Sequence, residues 1–286
     1  MRAGLARRKA PVERLDDVIR LDARRRELLP EVESLRATQN KASEAIAEAK
    51  RSGTGADAAI AEMREVASRV KEMQAELAGV EEELKGAMPA LPNLPLDSSP
   101  VEEEVLREVG EAGKSGRDHL ELLGDMVDME AGARLSGSRF VYLRGPLVML
   151  EFALVRWALE LLSDKGFEPV IPPVLVREEP LYGTGFLPDT EQQIYKLPED
   201  DLYLVGTSEV ALAYLHAGQI LEGGTLPRRY AGFSSCFRRE AGAGGKDTRG
   251  MFRVHQFDKL EMFTFVRPED SPAEHDRLLA IEEAIF

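Results

Sequence analysis

Two stretches near the start of the chain have the alternating three- and four-residue apolar spacing of a coiled coil. The first covers about residues 12–50 and contains Val18, Leu21, Leu28, Val32, Leu35, Ala42, Ile46 and Ala49. The second contains Ile60, Met63, Ala67, Val70, Leu77 and Leu84. Because only the polar segment RSGTGAD separates them, they predict an antiparallel coiled-coil hairpin with helices of roughly 50 Å each. Pro30 lies inside the first helix and is expected to kink it or to begin a new one.

The pattern changes after a proline-rich segment, MPALPNLPLDSSP, which predicts an extended linker. From SGSRFVYLRG onward the sequence predicts short strands around a buried apolar helix that opens at Gly145–Pro146 and closes at Asp164–Lys165–Gly166. Strands with short turns and interspersed helices favour an α+β fold on a largely antiparallel sheet. The predicted division is an arm at 1–90, a linker and entry to the core at 91–130, and a second domain at 131–286.

Composition excludes several classes of protein. The net charge of −14, from 37 basic and 51 acidic residues, argues against coating nucleic acid by bulk charge, although a local basic patch stays open. The single cysteine, Cys236, excludes an intrachain disulfide framework and a cysteine-rich zinc site, and it fits a reducing cytosol. The longest apolar run is interrupted by charged residues, so it predicts a buried or amphipathic helix and not a membrane span. We therefore expect a soluble, cytoplasmic protein with no identifiable metal site.

The segment FRREAGAGGKDTRGMFRVHQFDKLEMF, residues 237–263, predicts a strand, a glycine-rich loop and a second strand. Alternate side chains of a strand share a face, which groups Arg238 with Glu240. It also groups Arg253, Phe257 and Glu261, with His255 and Lys259 between them. Arginine binds phosphate oxygens in a bidentate way, and an aromatic ring stacks on a nucleobase. The face suits a phosphorylated aromatic ligand, while a sheet surface laced with salt bridges is the alternative.

Two familiar phosphate-binding motifs are excluded. The chain has no G-x-x-x-x-G-K-[ST] segment, and AGAGG lies between strands without opening a helix. Within the loop, Lys246 and Arg249 belong either to an ordinary polar loop or to one that contacts a polyanion.

Thr207, Ser208 and Glu209 follow the predicted strand DLYLVG and precede an apolar helix. One interpretation is a helix N-cap, in which a hydroxyl accepts a hydrogen bond from a free backbone N–H. The other is a small polar pocket with a carboxylate for an ammonium group and a hydroxyl for a hydroxyl group. Glu261 is a candidate for a second carboxylate in that pocket.

Taken together, these motifs resemble the seryl-tRNA synthetase family of bacterial type, within the class II aminoacyl-tRNA synthetases. KGFEPVIPPVLV is similar to the first class II motif, in which a proline, here Pro173, lies at the dimer interface. CFRRE, the loop and RVHQF resemble the second motif, and TSE at 207–209 resembles the serine-binding T-x-E segment. LYGTGFLP, SGSRF, HQFDKLEMF and the N-terminal hairpin resemble the same family.

The resemblance implies an ATP site in this second motif. Arg238 would hold the α-phosphate and stabilise charge at the attacked phosphorus. Glu240 would contact the adenine amino group, Phe257 would stack on adenine, and Arg253 would hold the γ-phosphate end. Arg239, on the opposite strand face from Arg238, would be a further ATP contact.

The resemblance also implies the amino-acid substrate and the partners. Thr207 and Glu209, with Glu261, would bind L-serine, and Ser208 would contribute mainly its backbone. In the family reaction, serine attacks ATP with the assistance of Mg²⁺ to give seryl-adenylate, and the seryl group then passes to tRNA(Ser), with tRNA(Sec) as a second candidate. The arm would grip the tRNA, the loop at Lys246–Arg249 would approach the acceptor stem, and the protein would be a homodimer.

One departure from the family pattern concerns the third class II motif, G-x-G-x-x-R, which does not occur in residues 1–286. Its arginine would contact ATP, so the resemblance implies a chain truncated at its C-terminal side, with a partial catalytic domain that is not expected to form adenylate alone. Two rival hypotheses remain. One is a non-catalytic paralogue that binds tRNA or a protein partner through the coiled coil, and the other is a coiled-coil dimerisation protein.

Overall fold

The structure is a computed structural model that describes residues 1–52, 57–108, 110–111, 113, 116–188, 193–241 and 250–286. The chain forms two compact units, Met1–Glu111 and Ala112–Phe286. Within the described ranges, no helix is long and apolar enough to cross a membrane.

The first unit is helical, and its two long helices form the predicted hairpin. Its helices are α1 (Arg2–Arg7), α2 (Glu13–Ser52) and α3 (Asp57–Ala87). Arg24 pairs with Glu76, and Glu31 pairs with Arg69, so residue numbers rise along α2 as they fall along α3. The antiparallel hairpin is confirmed. At 40 residues, α2 is about 60 Å long, somewhat longer than expected.

The expectation that a new helix begins at Pro30 is wrong, because α2 runs through this residue without a break. Proline removes one N–H from the helix ladder, which weakens the helix locally. Leu28 and Val32 lie on either side of it and are almost fully buried against Leu77 of α3. Tertiary packing therefore stabilises the helix where its local sequence does not.

The second unit combines short helices with short and long strands. Its helices are α4 (His119–Leu123), α5 (Met129–Ser136), α6 (Pro146–Asp164), α7 (Glu178–Gly183), α8 (Glu209–Tyr214) and α9 (Ser271–Ile285). Its strands are β1 (Val127–Asp128), β2 (Tyr142–Leu143), β3 (Glu168–Val170), β4 (Leu175–Val176), β5 (Tyr195–Leu197), β6 (Leu202–Leu204), β7 (Arg228–Phe237) and β8 (Gln256–Phe265).

The strands of the described residues pair in three small sheets. Their orders are β1-β2, β3-β7-β8 and β4-β6-β5. Every pairing is antiparallel except that of β3 with β7, which is parallel. The long ribbon of β7 and β8 is in register from Arg228 opposite Phe265 to Phe237 opposite Gln256. The α+β fold on mainly antiparallel strands is thus confirmed.

Helix α6 has the predicted ends, and of the two forms expected for it, buried or amphipathic, the structure shows the amphipathic one. Leu162, near its C-terminal end, packs with Phe167, Ala231 and Ile281 in the core that joins α6, β7 and α9. Five other large apolar side chains of α6 are exposed to solvent, namely Met149 (69% exposed), Leu150, Phe152, Leu154 and Trp157.

Candidate active site

One face of β8 carries Phe257, Lys259 and Glu261 in alternation. Thr207, just after β6, reaches this face, and its hydroxyl donates to Glu261 Oε2 over 2.8 Å. Lys259 Nζ donates to the same hydroxyl over 2.9 Å and forms an ion pair with Glu261. The ribbon and the β6–α8 connection therefore bring together residues about 50 positions apart in the chain, here called the Thr207–Lys259–Glu261 cluster.

The two interpretations of Thr207-Ser208-Glu209 both describe part of the structure. Thr207 Oγ1 accepts a hydrogen bond from the backbone N–H of Glu209 over 3.2 Å, as a capping hydroxyl does. Ser208 occupies the N-cap position, but its hydroxyl donates to the carbonyl of Gly232 over 3.3 Å instead of capping the helix. Thr207 thus shapes the helix start and also belongs to the polar cluster.

Arg238 lies beside the aromatic end of the β8 face. Its guanidinium carbon is 5.3 Å from the centroid of the Phe257 ring, within the range of a cation–π contact. Its Nε donates to the carbonyl of Gly206 over 3.2 Å, which orients the side chain and leaves it exposed to solvent. The guanidinium and the ring, to which the resemblance assigns the α-phosphate and the adenine, are therefore adjacent in space.

The strands end earlier than predicted, and Arg238, Glu240 and Arg253 lie in the connection between β7 and β8. The backbone N–H of Arg238 still donates to the carbonyl of His255, over 2.9 Å. Beyond this bond, the N–H of Arg239 donates to Gln193, and that of His255 donates to Arg139. Because these donors have other partners, the ladder cannot continue.

Glu240 and Arg253 form an ion pair with each other, with the carboxylate side chain only 10% exposed. Glu240 has a φ of 51°, in the left-handed region that residues other than glycine seldom adopt. Its strand alternation with Arg238, predicted from the sequence, is therefore wrong. Arg239 points elsewhere, with its guanidinium carbon 5.9 Å from the centroid of the Tyr195 ring.

Other sequence-predicted residues lie away from this cluster or beyond what is described. Lys246 and Arg249 fall in 242–249, outside the described residues. Pro173 is exposed between β3 and β4. Cys236 is buried, and burial raises the pKa of its thiol. Among the residues that the structure describes, no group of three or more His, Cys, Asp or Glu is arranged to hold a metal ion.

Two residues at the site were not selected from the sequence. Lys259 has a clear signal, since it lies two residues from both Phe257 and Glu261 and must share their face. His119 has no local signal. Its Nε2 accepts from the backbone N–H of Met251 over 3.1 Å, and its ring lies 4.3 Å from that of Phe252. It thereby anchors the segment that leads into Arg253, an arrangement that depends on a contact across 132 residues.

Two protein-family models match the chain. The model of the seryl-tRNA synthetase N-terminal domain matches residues 1–95, and that of the class II tRNA synthetase core domain (G, H, P, S and T) matches residues 194–286. The serine–tRNA ligase of Micrococcus luteus is 48% identical over 95% of this chain, and that of Paenarthrobacter aurescens is 47% identical over the whole chain. The chain spans 66% and 69% of their lengths.

Solved structures give the same result. The seryl-tRNA synthetase of Pyrococcus horikoshii, complexed with ATP, superposes with a TM-score of 0.83 at 35% identity, covering 98% of this chain and 70% of that one. The cytoplasmic serine–tRNA ligase of Naegleria fowleri, in complex with AMP, also has a TM-score of 0.83, at 27% identity, covering 99% of this chain and 68% of that one.

Proposed function

The chain belongs to the seryl-tRNA synthetase family, and from that premise we propose that the whole protein activates L-serine with ATP and transfers it to tRNA(Ser). The arrangement of the β8 face is the observation that supports this function best. Phe257 and Arg238 are adjacent at one end, and Thr207 and Glu261 are hydrogen-bonded at the other. Phe257 and Glu261 are four positions apart on the strand, so their Cα atoms are about 14 Å apart. This spacing leaves room for a base, a phosphate and an amino acid in a row.

The chemistry of these side chains suits adenylate formation. Thr207, Glu209 and Glu261 offer acceptors for the ammonium and hydroxyl groups of serine. Ser208 contributes mainly its backbone groups. A serine carboxylate oxygen attacks the α-phosphorus, the bond to the bridging oxygen of the β-phosphate breaks, and pyrophosphate leaves. Arg238 donates to the α-phosphate oxygens and stabilises the negative charge that develops there. Phe257 holds the adenine ring by stacking.

The ion pair between Glu240 and Arg253 bears on how ATP is held. In the proposed roles, Glu240 accepts from the adenine amino group and Arg253 binds the γ-phosphate end. The pair joins Arg253 Nε to Glu240 Oε2, and a guanidinium has five N–H donors, so Arg253 can bind a phosphate through its Nη groups while the pair stays formed. Arginine suits both anions because its planar fork matches either one. Arg239 contacts the Tyr195 ring and stays a less direct candidate for ATP.

Mg²⁺ is the cofactor expected together with ATP. The described residues fit a nucleotide, but they contain no group of three candidate ligands for a metal. Mg²⁺ is commonly held by one or two carboxylates together with substrate phosphates. We propose that Mg²⁺ accompanies the ATP phosphates.

The coiled-coil arm is the proposed binding surface for tRNA(Ser), with tRNA(Sec) as a second candidate and with Lys246 and Arg249 approaching the acceptor stem. Several arm arginines are paired with carboxylates, as in Arg24 with Glu76 and Arg26 with Asp22. Exposed pairs of this kind are weak, so phosphates of an RNA backbone can replace the carboxylates.

The open side of α6 supports a homodimer. Its exposed side chains Met149, Phe152 and Trp157 form part of an apolar surface, and Ile171 after β3 is 83% exposed. Large exposed apolar surfaces mark sites of association. Pro173 is exposed in the same β3–β4 segment, as the proposed interface requires. A cytoplasmic location stays a prediction.

Serine-dependent exchange of pyrophosphate into ATP, measured on the whole protein, tests the proposed function. Arg238→Ala is expected to lower the exchange rate by about 100-fold or more while tRNA binding changes little. Arg228→Ala is the matched control, because Arg228 lies at the far end of β7 and its guanidinium donates to nearby Thr225. Equal losses of exchange and tRNA binding would give Arg238 a structural role. Retained tRNA binding without any exchange in the wild type would instead favour the non-catalytic paralogue.

A further inference from the structure

The hydroxyl of Thr207 has no hydrogen-bonding capacity left for a ligand. It donates to Glu261 Oε2, and it accepts from Lys259 Nζ and from the backbone N–H of Glu209. A hydroxyl supplies one donor and two acceptor lone pairs, so all of its capacity is used. The residue is only 2% exposed, which leaves little room for a less regular contact. A substrate ammonium can bind this oxygen only after one of the two present donors leaves.

Lys259 is the donor that can leave. The N–H of Glu209 belongs to the first residue of α8 and is held by the backbone. The lysine ammonium is carried on a flexible four-carbon stem with three rotatable donors. The same ammonium is also ion-paired with Glu261. It therefore lies against both acceptors, Thr207 Oγ1 and the Glu261 carboxylate, that the proposed function assigns to the ammonium of serine.

The position of Lys259 on β8 indicates where its ammonium goes when displaced. Phe257 and Glu261 lie two residues away on either side, at about 7 Å each along the strand. The Cα of Lys259 thus lies between the nucleotide end and the amino-acid end of the face. In a bound substrate, that is where the negatively charged carboxylate meets the α-phosphate. A short rotation of the lysine stem exchanges a carboxylate of the protein for one of the substrate.

We propose that Lys259 is a displaceable internal cation that determines which amines the site accepts. Without substrate its ammonium takes the place of the substrate ammonium, and a substrate with a carboxylate both displaces it and gives it a new partner. An amine that lacks a carboxylate must displace the lysine and offers nothing in return, so it binds weakly. This inference rests on the proposed function, since it assumes that the Thr207–Lys259–Glu261 cluster binds an amino acid.

The test compares serine with serinol (2-amino-1,3-propanediol), which keeps the ammonium and hydroxyl groups and lacks the carboxylate. Dissociation constants are measured by titration calorimetry on the whole protein, for the wild type, Lys259→Met and Lys165→Met. Lys165 is the control because it lies at the C-terminal end of α6, away from the cluster. Lys259→Met is expected to bind serinol about tenfold more tightly and serine no more tightly, while the control binds both as the wild type does.

Several results would overturn the inference. An equal loss of affinity for both ligands in Lys259→Met would make Lys259 a structural residue, and unchanged affinity for both would show that its ammonium does not compete. A wild type that binds neither serine nor serinol would instead remove the proposed function itself.

A second measurement needs no variant and covers the case in which Lys259→Met does not fold. Crystal structures of the wild type with and without serine should show the lysine Nζ leaving Thr207 Oγ1 on binding. A serine ammonium bound at Thr207 beside an unmoved lysine would contradict the inference.

Discussion

Removal of Arg229 should destabilise the second unit far more than removal of a comparable exposed arginine. Arg229 on β7 makes two hydrogen bonds to Glu274 on α9, of 2.6 and 2.7 Å, and the two side chains are 21% and 9% exposed. Breaking a buried ion pair on one side costs about 3–5 kcal/mol, because the remaining charge is left without a partner. The residual exposure of Arg229 lowers this, and we expect about 2–3 kcal/mol for Arg229→Met.

Thermal and urea unfolding of the whole protein measure this effect. A loss of 2–3 kcal/mol corresponds to roughly 4–12 °C in Tm for a unit of this size. Arg134→Met is the matched control, because Arg134 and Glu130 form an ion pair on α5 that is 71% and 93% exposed and 3.9 Å long. The control should change stability by at most about 0.5 kcal/mol. A variant with both Arg229 and Glu274 replaced by Met should recover most of the loss.

The pH dependence gives an independent check on the same pair. The hydrogen bonds from Arg229 hold the pKa of Glu274 below its ordinary value. A carboxyl group with a depressed folded-state pKa contributes stability above its unfolded pKa and loses that contribution as pH falls through the folded value. The difference in unfolding free energy between wild type and Arg229→Met should therefore shrink as pH falls from about 5 towards 2. A difference that does not vary with pH, or an Arg229→Met variant as stable as its control, would refute this account.

Three further predictions use other contacts. Gly232→Ala should cost about 1–3 kcal/mol in urea unfolding, because a Cβ there would lie 2.7 Å from Leu212 Cδ1, and equal stability would contradict that packing. Leu28→Ala should destabilise the arm by about 2–5 kcal/mol, seen in the helical circular dichroism signal on melting, whereas exposed Leu29→Ala should have little effect. His119→Ala should speed amide exchange at Met251, whose N–H loses its acceptor, and an unchanged rate would argue against the anchor.

The elements that sequence predicted correctly are those set by local periodicity. Heptad spacing identified both arm helices, because residues three or four positions apart share a helix face whatever the tertiary structure is. The ends of α6 were equally clear, since Gly145, Pro146 and Gly166 act on the backbone within one or two residues. Whether α6 is buried or amphipathic stayed open, because the same apolar composition describes a helix inside a core and a helix with one exposed side.

The site was predictable in its members and less so in its geometry. Alternation along β8 correctly grouped Phe257, Lys259 and Glu261, although no site role was assigned to Lys259. Alternation failed for Glu240 and Arg253, because the ladder ends where the donors of Arg239 and His255 find Gln193 and Arg139. Strand periodicity holds only while the strands stay paired, and pairing is decided by hydrogen bonds to distant parts of the chain.

By itself, the sequence determined the helical arm, the α+β class and the residue types that chemistry with a phosphorylated ligand requires, because each follows from spacing or from side-chain chemistry. Only the tertiary structure decided that Thr207 shares its hydroxyl with Glu261 and Lys259, that Glu240 pairs with Arg253, and that His119 holds the segment before β8. These contacts join residues far apart in the chain. They form only when the sheets bring those residues within hydrogen-bond distance, which no local pattern encodes.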